Sequence, residues 1–203
     1  MIPPMSQPVT VLALVAVTAA AAASLAQSGA AHWARGATIP VAIDSTRAPA
    51  DAARLVERAM RTWTEAADGR FTLTPARRDT RPAIHVRFVP SGDVYGETRP
   101  AVDRGTGLIA AADVAINADA PGDVMTQQIV LYLTALHELG HALGLPHTDD
   151  FSDIMYSFRR PDDGERYFGA YRRKLRAISD IGSPSATGLS ASDVAALRRL
   201  YDR

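Results

Sequence analysis

The residues best suited to chemistry lie together in the run HELGHALGLPH, from His137 to His147. His137 and His141 are four apart, so on a helix one imidazole stands a turn above the other on a single face, and the pair can chelate one ion. Glu138 is rotated by about 100° around the axis from the first histidine. That placement is poor for a third ligand and good for holding a water on the ion. Gly144 is of the residue type that tolerates left-handed backbone, so the helix can stop there and the chain can turn back. The turn brings His147 to the same ion. Three imidazoles with one open position make a catalytic zinc arrangement rather than a closed structural one.

Something must hold these side chains in place. Asp123 caps a long helix whose stripe of Met125, Ile129, Tyr132, Leu133, Leu136, Leu139 and Leu143 faces a core. Upstream, Thr38 to Ile43 reads as a strand, and Pro49 opens a helical pattern through Leu55, Val56, Ala59, Met60 and Trp63 that Gly69 ends. Phe71 to Thr74 and Ala83 to Val89 alternate as strands, and GLIAAADVAIN supplies one or two more. A last helix runs from Ser190 to Tyr201, with Ser190 and Asp193 at capping-box spacing. The fold class is mixed α/β with one buried long helix.

The chain has 203 residues, 47% hydrophobic and 22% charged, with equal counts of acids and bases. That is one globular domain with no charge argument for nucleic acid. Cysteine is absent, which excludes a disulfide framework, thiolate metal sites and a cysteine nucleophile. Lys174 is the one lysine among 22 basic residues, the mark of a GC-rich coding sequence of bacterial type. Val9 to Ala26 carries no charge and tapers to small residues, which reads as a signal peptide over residues 1–26 cleaved near Ala23, Ala26 or Ala30. Its leading MIPPMSQP lacks Lys and Arg, so an uncleaved membrane anchor is the alternative. Either way residues 31–203 work outside the cell or in a periplasm.

HExxHxxGxxH followed by a methionine turn is the metzincin signature, and here the turn is SDIMY with Met155. The chain resembles the matrixin branch, through HELGHALGLPHT, DIMY and the closing LSASDVAALRRLY. The resemblance implies a metzincin catalytic domain: a twisted, mostly parallel five-stranded sheet, about three helices and a Met-turn. It implies zinc held by His137, His141 and His147, with internal peptide bonds hydrolysed by a zinc-bound water that Glu138 activates as general base and acid. Met155 would be a packing floor and Tyr156 structural. It places the upper edge strand in GLIAAADVAIN, so that an extended peptide pairs near Gly107, Leu108, Ile109 and Ala110. The expected partner is a protein or peptide substrate, with a membrane involved only if the leader stays, and the expected state is a monomer. A catalytically idle zinc-binding module of the same fold and a zinc hydrolase of non-peptide amides remain as alternatives.

Some features depart from the family. Without cysteine, latency held by a propeptide thiol is excluded. Outside the motif only His32 and His85 remain, too few for the family's second, structural zinc site; His85 reads as structural and His32 as solvated. Asp93, Glu97, Asp103, Asp113, Asp119 and Asp123 lie where matrixins bind calcium, and equally read as an acidic rim with Asp123 as helix cap. The segment 157–188 is longer than usual. Its stripe of Phe168, Tyr171, Leu175 and Ile178 among basic residues reads as an extra packed helix, a wall of the pocket beyond the scissile bond, or a membrane-surface helix.

Overall fold

The computed structural model describes residues 30–90 and 94–203; the expected leader and Asp93 lie outside them. In chain order the elements are β1 (Ala37–Asp44), α1 (Ala52–Ala67), β2 (Phe71–Pro75), β3 (Ile84–Val89), β4 (Gly96–Val102), β5 (Ile109–Asn117), α2 (Val124–Ala142), α3 (Asp163–Arg172) and α4 (Ala191–Tyr201), with a short 3-10 turn at Ile178–Asp180. The strands form one sheet in the order β2-β1-β3-β5-β4. All pairings are parallel except β4 with β5.

Residue type explains most of this. Leu55, Val56, Ala59, Met60 and Trp63 make the buried side of α1, which packs with α2 under the sheet. There the Trp63 indole N–H donates to the Leu136 carbonyl at 2.8 Å. Helix α2 is buried on nearly every side from Gln128 to Ala142, as expected for a helix sandwiched between layers. Each fully buried large aliphatic side chain, Leu136 or Leu139 for example, contributes about 1.5–3 kcal/mol. Asp123 caps α2 by accepting the Thr126 N–H at 2.8 Å. At the other end Gly144, at φ 98°, turns the chain out of the helix.

Three expectations need correction. GLIAAADVAIN does not supply the sheet's edge: β5 is a single strand with β3 on one side and β4 on the other. The edge is β4, GETRPAV, mostly exposed and interrupted by Pro100. Such a strand shows no apolar alternation, and proline is tolerated on an edge because no ladder donor is missed there. Among the described residues four α-helices are present, in keeping with about three for the fold and α3 as the extra packed helix of the segment 157–188. The apolar stripe that predicts α3 through Ile178 outlasts the helix, which ends at Arg172, while Leu175 and Ile178 still pack on the core from the turn beyond. His32 is half-buried, its ring 5.1 Å from that of Tyr201, rather than freely solvated.

Candidate metal centre

His137, Glu138 and His141 stand on the last turns of α2, and His147 comes back to them after the Gly144 turn. The returning strand of chain is held by a small parallel bridge between Thr148 and Tyr156. In it the Thr148 N–H donates to the Met155 carbonyl at 2.9 Å and the Ser157 N–H to the Thr148 carbonyl at 3.4 Å. One bracket therefore fixes both the third histidine and the methionine turn. Met155 is buried directly beneath Gly140, as a floor to the helix and not a ligand. The Tyr156 hydroxyl is engaged elsewhere, donating to Asp163 Oδ2 at 3.0 Å.

The three Nε2 atoms converge, with separations of 3.1 Å (His141 to His137), 3.1 Å (His141 to His147) and 3.3 Å (His137 to His147). These contacts are not hydrogen bonds among neutral rings. His137 Nδ1 donates to the Ile154 carbonyl at 2.6 Å and His141 Nδ1 to the Leu145 carbonyl at 2.8 Å. Each of those nitrogens must carry the proton, which leaves Nε2 as a bare lone pair. Two lone pairs 3.1 Å apart, with a third imidazole beside them, repel one another unless a cation lies between. Zinc bound at about 2.0–2.1 Å from nitrogen places tetrahedral ligands about 3.3–3.4 Å apart, close to what is seen. The donor set fits zinc, and the carbonyls of Ile154 and Leu145 aim the rings as partners of metal-bound histidines do. Burial lowers the His137 imidazole to about 4, with His141 and His147 adding to the effect, and burial also lowers His141. Both rings are thus neutral and ready to ligate at ordinary pH.

Glu138 is buried, and burial pushes its carboxyl up to about 7 against the opposing hydrogen bond from Thr98. Thr98 Oγ1 lies 2.7 Å from Glu138 Oε2 and 2.9 Å from the Glu138 backbone carbonyl. Sequence reasoning missed Thr98 and its neighbour Gly96 because it missed β4. The one signal available was a proline within a polar run, where an edge strand fits and a core strand does not.

A cleft of about 1030 Å³ is lined by the histidines and Glu138, and also by Ala31, Ile109, Tyr95, Phe158 and Phe168. Of the four expected peptide-pairing residues, Ile109 borders this cleft, whereas Gly107, Leu108 and Ala110 do not. Gly107 and Leu108 lie in the connection between β4 and β5, and Ala110 lies in β5, which has no free edge. Helix α3 is both an added packed helix and a wall. Phe168 and Tyr171 turn inward, and the Phe168 ring meets Tyr95 edge-on at 5.1 Å.

Among the described residues, the histidine triad is the one group of three side chains placed to hold a metal. Among the described residues, the acids considered for calcium form no group of three that could hold an ion. Glu97 pairs with Arg99, Asp103 accepts from Gly105 and Thr106 in its own loop, and Asp123 joins its capping role to an ion pair with Arg172 at 2.7 Å. His85 is exposed on β3 beside Asp113 of β5, away from the triad. Among the described residues no helix is long and apolar enough to cross a membrane.

Comparison with known proteins agrees with this geometry. Human matrix metalloproteinase-15 is 31% identical to the chain over 147 residues, covering 64% of this chain and 21% of that protein, so the chain spans about a fifth of its relative's length. The matrixin family model matches residues 33–168, from the buried Trp33 through the histidine run and the methionine turn to Phe168 of α3. The chain belongs to the matrixin family.

Proposed function

We propose that the protein is a zinc-dependent metalloendopeptidase that cuts internal bonds of proteins and works outside the cytoplasm as a monomer. The observation that supports this best is the buried Glu138 carboxyl in the same cleft as three converging Nε2 lone pairs.

His137, His141 and His147 would hold the zinc, which when bound supplies Lewis acidity toward a peptide carbonyl and toward water. The rest is carried by the chain's own groups. An extended peptide lies along β4. Tyr95 O accepts from Asn117 N, so in this antiparallel pair the odd-numbered residues of β4 face β5, and the main-chain groups of Gly96 and Thr98 face the free edge. Pro100 has the same parity as those two, so its missing N–H leaves no gap in the ladder. Strand addition at that edge brings a peptide carbonyl over the open side of the histidine triad. Glu138 takes a proton from the attacking water and returns it to the leaving nitrogen. Its carboxyl near 7 suits both halves of that task at neutral pH. Tyr95, Phe158 and Phe168 receive the side chain that follows the cut.

The test uses the purified chain. One zinc per chain, cleavage of casein at internal bonds and loss of cleavage on chelation are expected. Glu138→Gln should keep the zinc and lose activity by about 10²–10⁴-fold. One zinc per chain without cleavage of any unfolded protein would overturn the peptidase reading and leave a binding module.

A further inference from the structure

Glutamate is a long side chain, and a general base works only when one oxygen stays within hydrogen-bond reach of the proton it moves. Here the two carboxylate oxygens have different surroundings. Oε2 receives the Thr98 hydroxyl at 2.7 Å. Oε1 lies against Gly96, where a Cβ would come within 2.7 Å of it and within 2.6 Å of Glu138 Cγ. The same Thr98 oxygen is 2.9 Å from the carbonyl of Glu138 itself, but its single proton goes to the shorter contact, the carboxylate at 2.7 Å. Any side chain at 96 would push the carboxylate off this position.

We infer that Thr98 is the positioning residue for Glu138: its hydroxyl fixes Oε2 and leaves Oε1 to meet the reacting proton. This rests on the peptidase reading above. Thr98 belongs to the edge strand, and its main-chain groups face the free edge, where a peptide would pair. The spacing between base and substrate is then set inside one residue, main chain to the peptide and hydroxyl to the base, and not by two elements that move separately. Misplacement by about 1 Å in such an arrangement costs about 100-fold in rate.

Thr98→Val keeps the shape and deletes the donor, and Thr98→Ser restores the donor without the methyl group. With a fluorogenic peptide, kcat of Thr98→Val should fall about 10- to 100-fold, with KM within about threefold of wild type. Zinc content should not change, and Thr98→Ser should recover kcat to within about threefold of wild type. Retained kcat in Thr98→Val, a Thr98→Ser variant as slow as Thr98→Val, or a loss confined to KM would each overturn the assignment. An infrared readout separates this inference from the peptidase reading. The Glu138 carboxylate band, assigned by difference against Glu138→Gln, should shift in Thr98→Val and stay in Thr98→Ser. A wild-type protein that cuts nothing defeats the peptidase reading, whereas an unshifted band in Thr98→Val defeats the role of Thr98.

Discussion

Gly140 sits so close over Met155 that a β-carbon there would overlap the methionine sulfur and come within 3.1 Å of Trp63 Cζ2. The glycine inside the histidine motif is therefore a packing requirement, set by a buried thioether with a buried indole behind it.

Gly140→Ala should consequently destabilise the protein. Overpacking a tight core costs about 1–3 kcal/mol, while alanine in a helix interior regains about 1 kcal/mol over glycine. Met155 and Trp63 have no solvent side to move toward, so the cost wins and a net loss of up to about 2 kcal/mol is expected. Urea midpoints with an unchanged slope would show it. A variant as stable as wild type would mean that the methionine turn yields.

Zinc should stabilise the fold through the triad alone. Added zinc is expected to raise the Tm of metal-free protein in proportion to the logarithm of its concentration. His147 is exposed, so His147→Ala should leave the metal-free Tm nearly unchanged, a difference within about 0.5 kcal/mol, and abolish the zinc-induced rise. A zinc-dependent rise that survives in His147→Ala would place the ion elsewhere.

Asp193 ties α4 to the methionine turn. Its buried Oδ2 accepts from Ile154 N at 2.9 Å, Ser190 N at 2.8 Å and Ser190 Oγ at 2.9 Å. Removing the acceptor in Asp193→Ala leaves buried donors unpaired and should cost about 1–3 kcal/mol, read as a lower midpoint in urea. A smaller loss would mean that water reaches these donors.

The same carboxylate gives a pH prediction. Burial raises its pKa above the usual 3.8, with Asp153 adding to the rise and the N–H donors of Ile154 and Ser190 opposing it. The folded protein then binds a proton that the unfolded chain has already released, so this group's contribution to stability falls as pH rises from 3.8 through the folded value. Asp193→Asn keeps an acceptor and cannot ionise. Its stability should decline less than that of wild type across this window, and parallel pH profiles for the two proteins would refute the assignment.

Some of this architecture is legible in the sequence because one set of residues does two things. His137, Glu138 and His141 name the chemistry, and their spacing also names the helix that presents them. The floor at Met155 and the cap at Asp123 are equally plain. Strand β4 is not, because an edge strand that faces solvent has no reason to alternate, and Glu97, Arg99 and Pro100 look like a loop. With β4 go Gly96 and Thr98, so the family resemblance places the peptide edge on the inner neighbour β5. The stripe through Phe168, Tyr171, Leu175 and Ile178 was legible as burial but not as backbone. Leu175 and Ile178 reach the core from a turn, so period alone cannot fix where α3 ends.

The bracket between Thr148 and Tyr156 closes the chain on itself at the base of residues 149–155, and within that loop Asp149, Asp150 and Ser152 are exposed. Whatever happens at the tip is insulated from the third histidine, because the loop's two feet are bonded to each other. The exposed Asp150 and Ser152 can thus change while the ligand geometry stays as it is, whereas Phe151 between them is held edge-on against the Tyr156 and Tyr167 rings. Tolerance to change beside the metal centre is thus a matter of single positions, open at the tip and closed at the ring that anchors it.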